Sequence, residues 1–298
     1  MRNPLIALSE SLSANVAAVA PGLVTLFPGM RAQRTGFAWQ DGTIVTSEQN
    51  LPPVDEAPAL LPGGAQAVAR VVGRDTGTNV AVLTLELAAP GLVDATAQTG
   101  GVVIALGAAW GGPTASMGLV HQVGPAWDSM AGGTIDQMIR LDLRLSPTAE
   151  GGPVLDAGGG LLGMSTFGPR RRVLVIPAAT VRRVIPELLQ GRAVRGWLGL
   201  GLQPVGLPAT MQAAAGRDAG LMVVSLAPQG PAEQAGVLPG DILLDVNGDA
   251  AQHPRAVARS LSTTTVGQVV PLRLLRGGSP IDLPATIAAR PAAERPVA

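Results

Sequence analysis

A mainly β chain of two domains is what this sequence predicts, and three observations carry the prediction. The 298 residues are 47% hydrophobic but only 2% aromatic, with 39 Gly and 26 Pro, so the apolar material is chiefly Ala, Val and Leu set among turn-formers. Between about Leu23 and Ile176, short apolar runs bounded by Gly and Pro recur at the spacing of a barrel or sandwich. After one helical stretch a second unit alternates strands with a helix, and the length suffices for two separate cores.

The elements follow in order. Leu5 to Val19 spaces its apolar residues as a helix face and stops at Pro21. LVTLF, TGFAW, TIVTS, AQAVARVVG, VAVLTLEL, GVVIALG, ASMGLVHQVG, DQMIRLDLRL, GPVLD, LLGMSTF and RRVLVIP then read as strands. A helix with Thr180 as N-cap runs to Gln190 and is closed by Gly191, and Pro186 inside it predicts a kink or an early stop. Residues 1–193 form the first expected domain and 194–290 the second, with strands at Leu221 to Ser225, Ile242 to Val246 and Val270 to Leu275 and a helix at Pro254 to Leu261. Residues 291–298 read as a disordered tail.

Composition removes whole classes of chemistry. Every one of the 21 basic residues is Arg, so a P-loop lysine, a Schiff-base lysine or a Ser-Lys dyad cannot exist. Without Cys, and with only His121 and His253, thiol catalysis, iron-sulfur binding and a His/Cys zinc site are excluded, and neither a cofactor nor a metal is expected. Residues to Arg195 carry 14 basic and 14 acidic groups and the rest 7 of each, so neither half presents a nucleic-acid surface by net charge. The opening residues hold an apolar run of about five before Ser9 and Glu10, too short for a secretory core or a membrane span. The chain as written is therefore expected to be cytoplasmic, or periplasmic if its start has lost an export signal.

The segments GFAWQDGTIVTSEQNL (36–51), RVVGRDTGTNVAVLTL (70–85), SPTAEGGPVLDAGGGLLGMSTF (146–167), VLVIPAATV (173–181), RGWLGL (195–200) and GPAEQAGVLPGDILLDVNG (230–248) stand in the order of an HtrA-type (Deg) protease domain followed by one PDZ domain. The chain resembles that family over nearly its whole length, which implies a trypsin-like double β-barrel followed by a PDZ domain of α+β class. The same resemblance implies a catalytic histidine, aspartate and serine. Laid on the motifs, the histidine falls on Gln49, the aspartate on Asn79 within Thr78-Asn79-Val80-Ala81-Val82-Leu83, and the serine on Glu150 within Ser146-Pro147-Thr148-Ala149-Glu150-Gly151-Gly152-Pro153. Gln has no titratable nitrogen to take a proton, and a carboxylate at 150 would repel a developing oxyanion. The oxyanion loop becomes Thr148, Ala149 and Glu150, with Thr148 in place of a glycine and poorly suited to positive φ. The expectation is a pseudoprotease; a serine-type endopeptidase with an unconventional site is the alternative.

No substitute site is evident. His121 reads as structural or solvent-facing, Ser146 and Ser165 lack a base, and Asp142 with Glu150 is not read as an acid/base pair. The PDZ resemblance implies a carboxylate-binding loop of Gly196, Trp197, Leu198 and Gly199, a peptide-pairing strand from Leu200 to Gln203, and pocket walls from Ala256, Val257 and Leu261. His253 precedes that helix, where some PDZ domains use a His to read a ligand hydroxyl; a surface residue is the plainer reading. Arg170-Arg171-Arg172, with Arg182 and Arg183 further on, reads as a solvated loop, with attraction of an acidic peptide as its alternative. Expected partners are protein C-termini and unfolded segments, in a homo-trimer or a hetero-oligomer with an active paralogue, without nucleic acid and without a membrane span.

Overall fold

The computed structural model describes residues 3–29, 32–129, 131–190, 196–262, 264 and 266–289. The expected 193/194 boundary, the closing Gly191 and the tail 291–298 lie outside these residues. Two compact units emerge, one of residues 1–127 with 135–193 and one of 128–134 with 194–298.

In the first unit, β1 (Leu23–Gly29), β2 (Ala32–Gln40), β3 (Thr43–Ser47), β4 (Glu56–Leu60), β5 (Gln66–Asp75) and β6 (Val80–Thr84) close a barrel in the order β1-β2-β3-β6-β5-β4. Then follow β7 (Val102–Ala109), β8 (Gly112–Gly124), the short pair β9 (Trp127–Asp128) and β10 (Thr134–Ile135), β11 (Met138–Asp142), β12 (Pro153–Asp156), β13 (Leu161–Phe167) and β14 (Val173–Pro177). A second closed barrel runs β11-β14-β13-β12-β7-β8.

Strand alternation decides which core each side chain enters. Ile44 and Leu83 fill the first barrel, and Val103, Leu141 and Val175 the second. Val45, Val82, Ile104 and Met164, on the opposite faces, meet in the core shared by the two barrels. β4, which holds Pro58, was not among the expected strands. Its ladder with β1 covers only Ala59 and Leu60, while its ladder with β5 runs from Glu56 to Leu60 with Pro58 opposite Val68.

α1 (Pro4–Val19) is capped by Asn3, whose side chain accepts from the Leu5 N–H. Its C-terminal half docks on the barrels through Leu12, Val16 and buried Val19, while Leu5 is 74% exposed and Ile6 55%. The short-run expectation for this segment is corrected. Residues Pro4–Gly22 form a helix of 19 residues with mean hydropathy 1.2, long and apolar enough by length and composition to cross a membrane, because small residues surround the single Glu10.

α2 (Ala178–Leu189) begins earlier than expected, on Pro177, and Thr180 is not its cap. Thr180 is buried inside the helix, and its Oγ1 donates to Asp136 Oδ2 at 2.6 Å. Val181, Val184, Ile185 and Leu188 form the buried stripe at i, i+3, i+4 and i+7, each contributing about 1.5–3 kcal/mol of burial. The helix continues three residues past Pro186 rather than stopping there.

The second unit contains β15 (Gly196–Trp197), β16 (Leu200–Gly206), α3 (Ala209–Ala215), β17 (Ala219–Leu226), α4 (Pro231–Gln234), β18 (Ile242–Val246), β19 (Asp249–Ala250), α5 (Pro254–Ser262), β20 (Val269–Arg276), β21 (Ser279–Thr286) and β22 (Ala288–Ala289). The main sheet is ordered β16-β17-β18-β20-β21, with β19 on β18 and a separate β15–β22 pair. Among the described residues β16 is therefore an edge strand, bonded only to β17.

Candidate functional site

Two local devices carry residue 49 and residue 79 to the same place. Arg74 holds the loop after β3 by donating to the carbonyls of Leu51 (2.8 Å), Pro52 and Val54 (3.0 Å), and it pairs with Glu48 at 3.7 Å. Burial draws its guanidinium below the ordinary arginine value, against the opposing charges of Glu48 and Asp55. Asp75 closes the β5–β6 turn, accepting from Gly77 N–H (2.9 Å) and Thr78 Oγ1 (2.6 Å). That turn leaves Asn79 at φ 60°, a left-handed conformation that Asn tolerates.

The second barrel supplies the remaining position through the turn 147–151. Gly151 has φ 92°, and a Cβ there would lie 2.6 Å from the Thr35 carbonyl. A Cβ on Gly152 would run into the carbonyl of Leu106. The Gly-Gly pair is thus required by close backbone approach, and it turns Glu150 inward between the barrels.

Gln49, Asn79 and Glu150, the three positions on which the motif register lays the triad, converge in one hydrogen-bonded cluster. Gln49 Nε2 donates to Glu150 Oε1, to Thr166 Oγ1 (2.9 Å) and to the Phe167 carbonyl (3.0 Å). Asn79 Oδ1 accepts from the Gln49 N–H (2.7 Å) and from Ser47 Oγ (3.2 Å), and Asn79 Nδ2 donates to Thr166 Oγ1 (2.7 Å). Glu150 Oε1 also accepts from Ser47 Oγ (3.2 Å), Thr166 Oγ1 (2.9 Å) and the Phe167 N–H (3.1 Å). Glu150 is 4% exposed, Ser47 0% and Thr166 3%. No cation faces the carboxylate in these bonds; neutral donors hold it.

Sequence reasoning missed Ser47, Thr166 and Phe167. It singled out Ser165, which alternation along β13 turns the other way, where its Oγ donates to the Ala149 carbonyl at 3.1 Å. Thr148, expected to resist positive φ, is not among the residues that adopt it. Its carbonyl accepts from Thr35 Oγ1 (2.6 Å), its N–H faces Ser146 Oγ (3.4 Å), and Ala149 N–H donates to the Ser146 carbonyl (2.9 Å). The loop is folded on itself, with the Thr148 amide already engaged. His121 is exposed on β8, and Asp142 is exposed at the end of β11 and is not among the partners of Glu150. Among the described residues, no group of three or more His, Cys, Asp or Glu comes together as a metal site.

In the second unit the loop before β16 is backed by α4: Ala232 N–H donates to the Leu198 carbonyl (2.9 Å) and Ala227 N–H to the Gly199 carbonyl (2.8 Å). Gly199 has φ 76°, and a Cβ there would lie 3.0 Å from Ala227 Cβ and 3.2 Å from the Trp197 ring. Leu198 is 1% exposed and points into the core, so only its backbone can serve a ligand. Ala256 does not share a wall with Val257 and Leu261. The latter two are buried in the core with Leu198, whereas Ala256 lines a cavity of about 310 Å³ with Asp249, His253 and Arg259. His253 Nδ1 accepts from the Ala256 N–H (3.1 Å), a capping role at the start of α5.

A trypsin-like peptidase domain matches residues 34–164 and a PDZ domain residues 222–276. This defines the class as a two-barrel, trypsin-like peptidase fold followed by a PDZ domain. A probable periplasmic serine endoprotease, DegP-like, of Brucella suis is 30% identical over 275 residues, covering 87% of this chain and 53% of that protein. The corresponding protein of Bartonella henselae is 29% identical over 255 residues, covering 81% and 50%. The chain thus spans about half the length of these relatives. The structure of the serine endoprotease from Yersinia pestis superposes with a TM-score of 0.69 at 25% identity, covering 93% of this chain and 97% of that one. The HtrA-type protease AlgW with tripeptide gives 0.66 at 26%, covering 95% and 98%. The chain belongs to the HtrA type, a trypsin-like domain followed by a PDZ domain.

Proposed function

We propose that this chain is a non-catalytic HtrA homologue that binds peptides, protein C-termini or unfolded segments through its PDZ unit, as an adaptor, holdase or regulator. The observation that carries the loss of chemistry is Glu150: a buried carboxylate fills the nucleophile's position and is tied by Gln49 and Thr166. The alternative, a serine endopeptidase, draws support from the names of the relatives. Against it, the hydroxyls beside the carboxylate, Ser47 and Thr166, are buried beyond reach of a substrate carbonyl.

The binding role rests on the open edge of β16 beside the Gly196–Gly199 loop. An extended peptide adds there as a strand, its main chain supplying affinity and its terminal carboxylate meeting the loop amides. The AlgW relative carries a tripeptide, in keeping with this reading. Leu200 and the partly exposed Trp197 border that edge. Self-association as a trimer, or with an active paralogue, belongs to the proposal. It is supported by Trp110, which is 77% exposed at φ 52° and stands 6.4 Å from Phe27, a costly way to display an aromatic side chain. A periplasmic site is proposed from the relatives' description and the apolar Pro4–Gly22 helix.

The test is incubation with unfolded casein and a fluorophosphonate probe, beside the triple variant Gln49→His, Asn79→Asp, Glu150→Ser. Silence from the native chain with labelling of the triple variant is the expected result. Cleavage or labelling by the native chain, surviving contaminant controls, overturns it.

A further inference from the structure

Arg170, Arg171 and Arg172 stand exposed on the turn between β13 and β14. Arg170 (φ 56°, ψ 32°) and Arg171 (φ 56°) both occupy left-handed backbone, a conformation disfavoured for a residue with a Cβ and usually left to Gly, Asn or Asp. No residue of this turn is buried, so the core does not demand these side chains. Elsewhere in the same unit Arg70, Arg74, Arg182 and Arg183 each pair with a carboxylate, whereas among the described residues none of these three does. Three adjacent positive charges are thus held unneutralised, two of them on backbone that disfavours a side chain.

The turn springs from the degenerate catalytic cluster. Phe167, the last residue of β13, gives its N–H to Glu150 and its carbonyl to Gln49, and the Arg171 guanidinium lies 5.2 Å above its ring. The ring face holds that cation in place without cancelling its charge. Guanidinium groups match carboxylates in a planar, two-bond geometry.

We infer that this turn is a docking site for an acidic peptide segment, with adjacent Asp or Glu side chains, at the rim of the former catalytic cleft. It is a second peptide site, independent of the PDZ groove. The arginines are confined to one turn of a chain whose net charge is zero, so they lack the broad positive field that a nucleic-acid backbone requires. Single exposed ion pairs are weak and screened by salt, so binding depends on the three acting together.

The experiment uses the whole chain and a short fluorescein-labelled peptide of alternating Glu and Ser, its C-terminus amidated so that a carboxylate-binding loop has nothing to hold. Fluorescence anisotropy at low ionic strength is expected to show saturable binding that weakens with added salt. The variant Arg170→Gln/Arg171→Gln/Arg172→Gln is expected to lose about tenfold or more in affinity. A second variant, Arg170→Gly/Arg171→Gly, relaxes the left-handed backbone and is expected to lose affinity while Tm stays level or rises, separating binding from folding. Unchanged affinity in the glutamine variant, or no saturable binding at all, overturns the inference. So does a single-stranded oligonucleotide of equal length that binds as tightly and is lost in the same variant, since the site would then be a general anion site.

Discussion

Truncating Glu150 tests whether the cluster of Gln49, Asn79 and Glu150 is a structural joint between the two barrels. Four donors converge on Oε1: Ser47 Oγ, Gln49 Nε2, Thr166 Oγ1 and the Phe167 N–H. In Glu150→Ala, Ser47 keeps Asn79 Oδ1 as an acceptor and Gln49 keeps the Phe167 carbonyl. The Thr166 hydroxyl and the Phe167 N–H lose theirs inside the protein, at about 1–3 kcal/mol each, so the variant is destabilised by roughly 2–6 kcal/mol. For a unit of this size that corresponds to a fall in Tm of about 4–24 °C, measurable by calorimetry or circular dichroism. Glu150→Gln retains an oxygen in the same place and sheds the cost of burying a charge without a cation. Its stability is expected within about 1 kcal/mol of the parent. A Glu150→Ala protein as stable as the parent would refute the reasoning, because the carboxylate would then be a tolerated burden and not a joint.

The PDZ reading predicts that Gly199→Val, which forces a Cβ against Ala227 and Trp197 at positive φ, weakens binding of a peptide with a free C-terminus by tenfold or more, read by anisotropy. Amidation of the same peptide should cost a similar factor. Trp110→Asn places at φ 52° a residue that accepts that conformation and removes the exposed ring, so sedimentation should show a smaller species with an undiminished Tm. In the second unit, burial opposes ionisation of Asp241, but the hydrogen bonds from Arg276 (2.9 and 2.7 Å) and the Leu238 N–H (2.9 Å), with the Arg276 charge, hold its carboxyl below the ordinary range. Its folded pKa lies below the unfolded one, so its stabilisation is complete above about pH 4 and is lost as pH falls through the folded value. Asp241→Asn should flatten that acid-side loss of Tm and lower Tm at neutral pH.

Much of this architecture is legible in the chain because strand alternation and turn residues are local signals. TIVTS and LLGMSTF correspond residue for residue to β3 and β13. What escapes is set by tertiary contacts. The strand at Glu56–Leu60 carries Pro58 and is held by its pairing with β5 along its whole length and with β1 at Ala59 and Leu60. Thr180 has the chemistry of a cap, but Asp136, 44 residues away, claims its hydroxyl. In the site, motif register identifies Gln49, Asn79 and Glu150, yet which neighbouring hydroxyl faces them depends on the phase of β13. A shift of one residue exchanges Ser165 for Thr166.

Under the proposed non-catalytic reading, Gln49, Asn79 and Glu150 are chemically interdependent, which bears on why they occur together. A carboxylate at 150 is costly between two barrels unless donors surround it, and Gln49 supplies an amide where a histidine would bring a basic ring. Asn79, unlike an aspartate, can donate as well as accept. Its Oδ1 takes the Gln49 N–H while its Nδ2 gives a hydrogen bond to Thr166, leaving the Thr166 proton for Glu150. An aspartate at 79 would compete with Glu150 for that single hydroxyl proton and place a second carboxylate in the same buried cluster. Restoring one member alone therefore breaks a satisfied network without rebuilding the catalytic one, so single reversions should be less stable than either the parent or the complete triad.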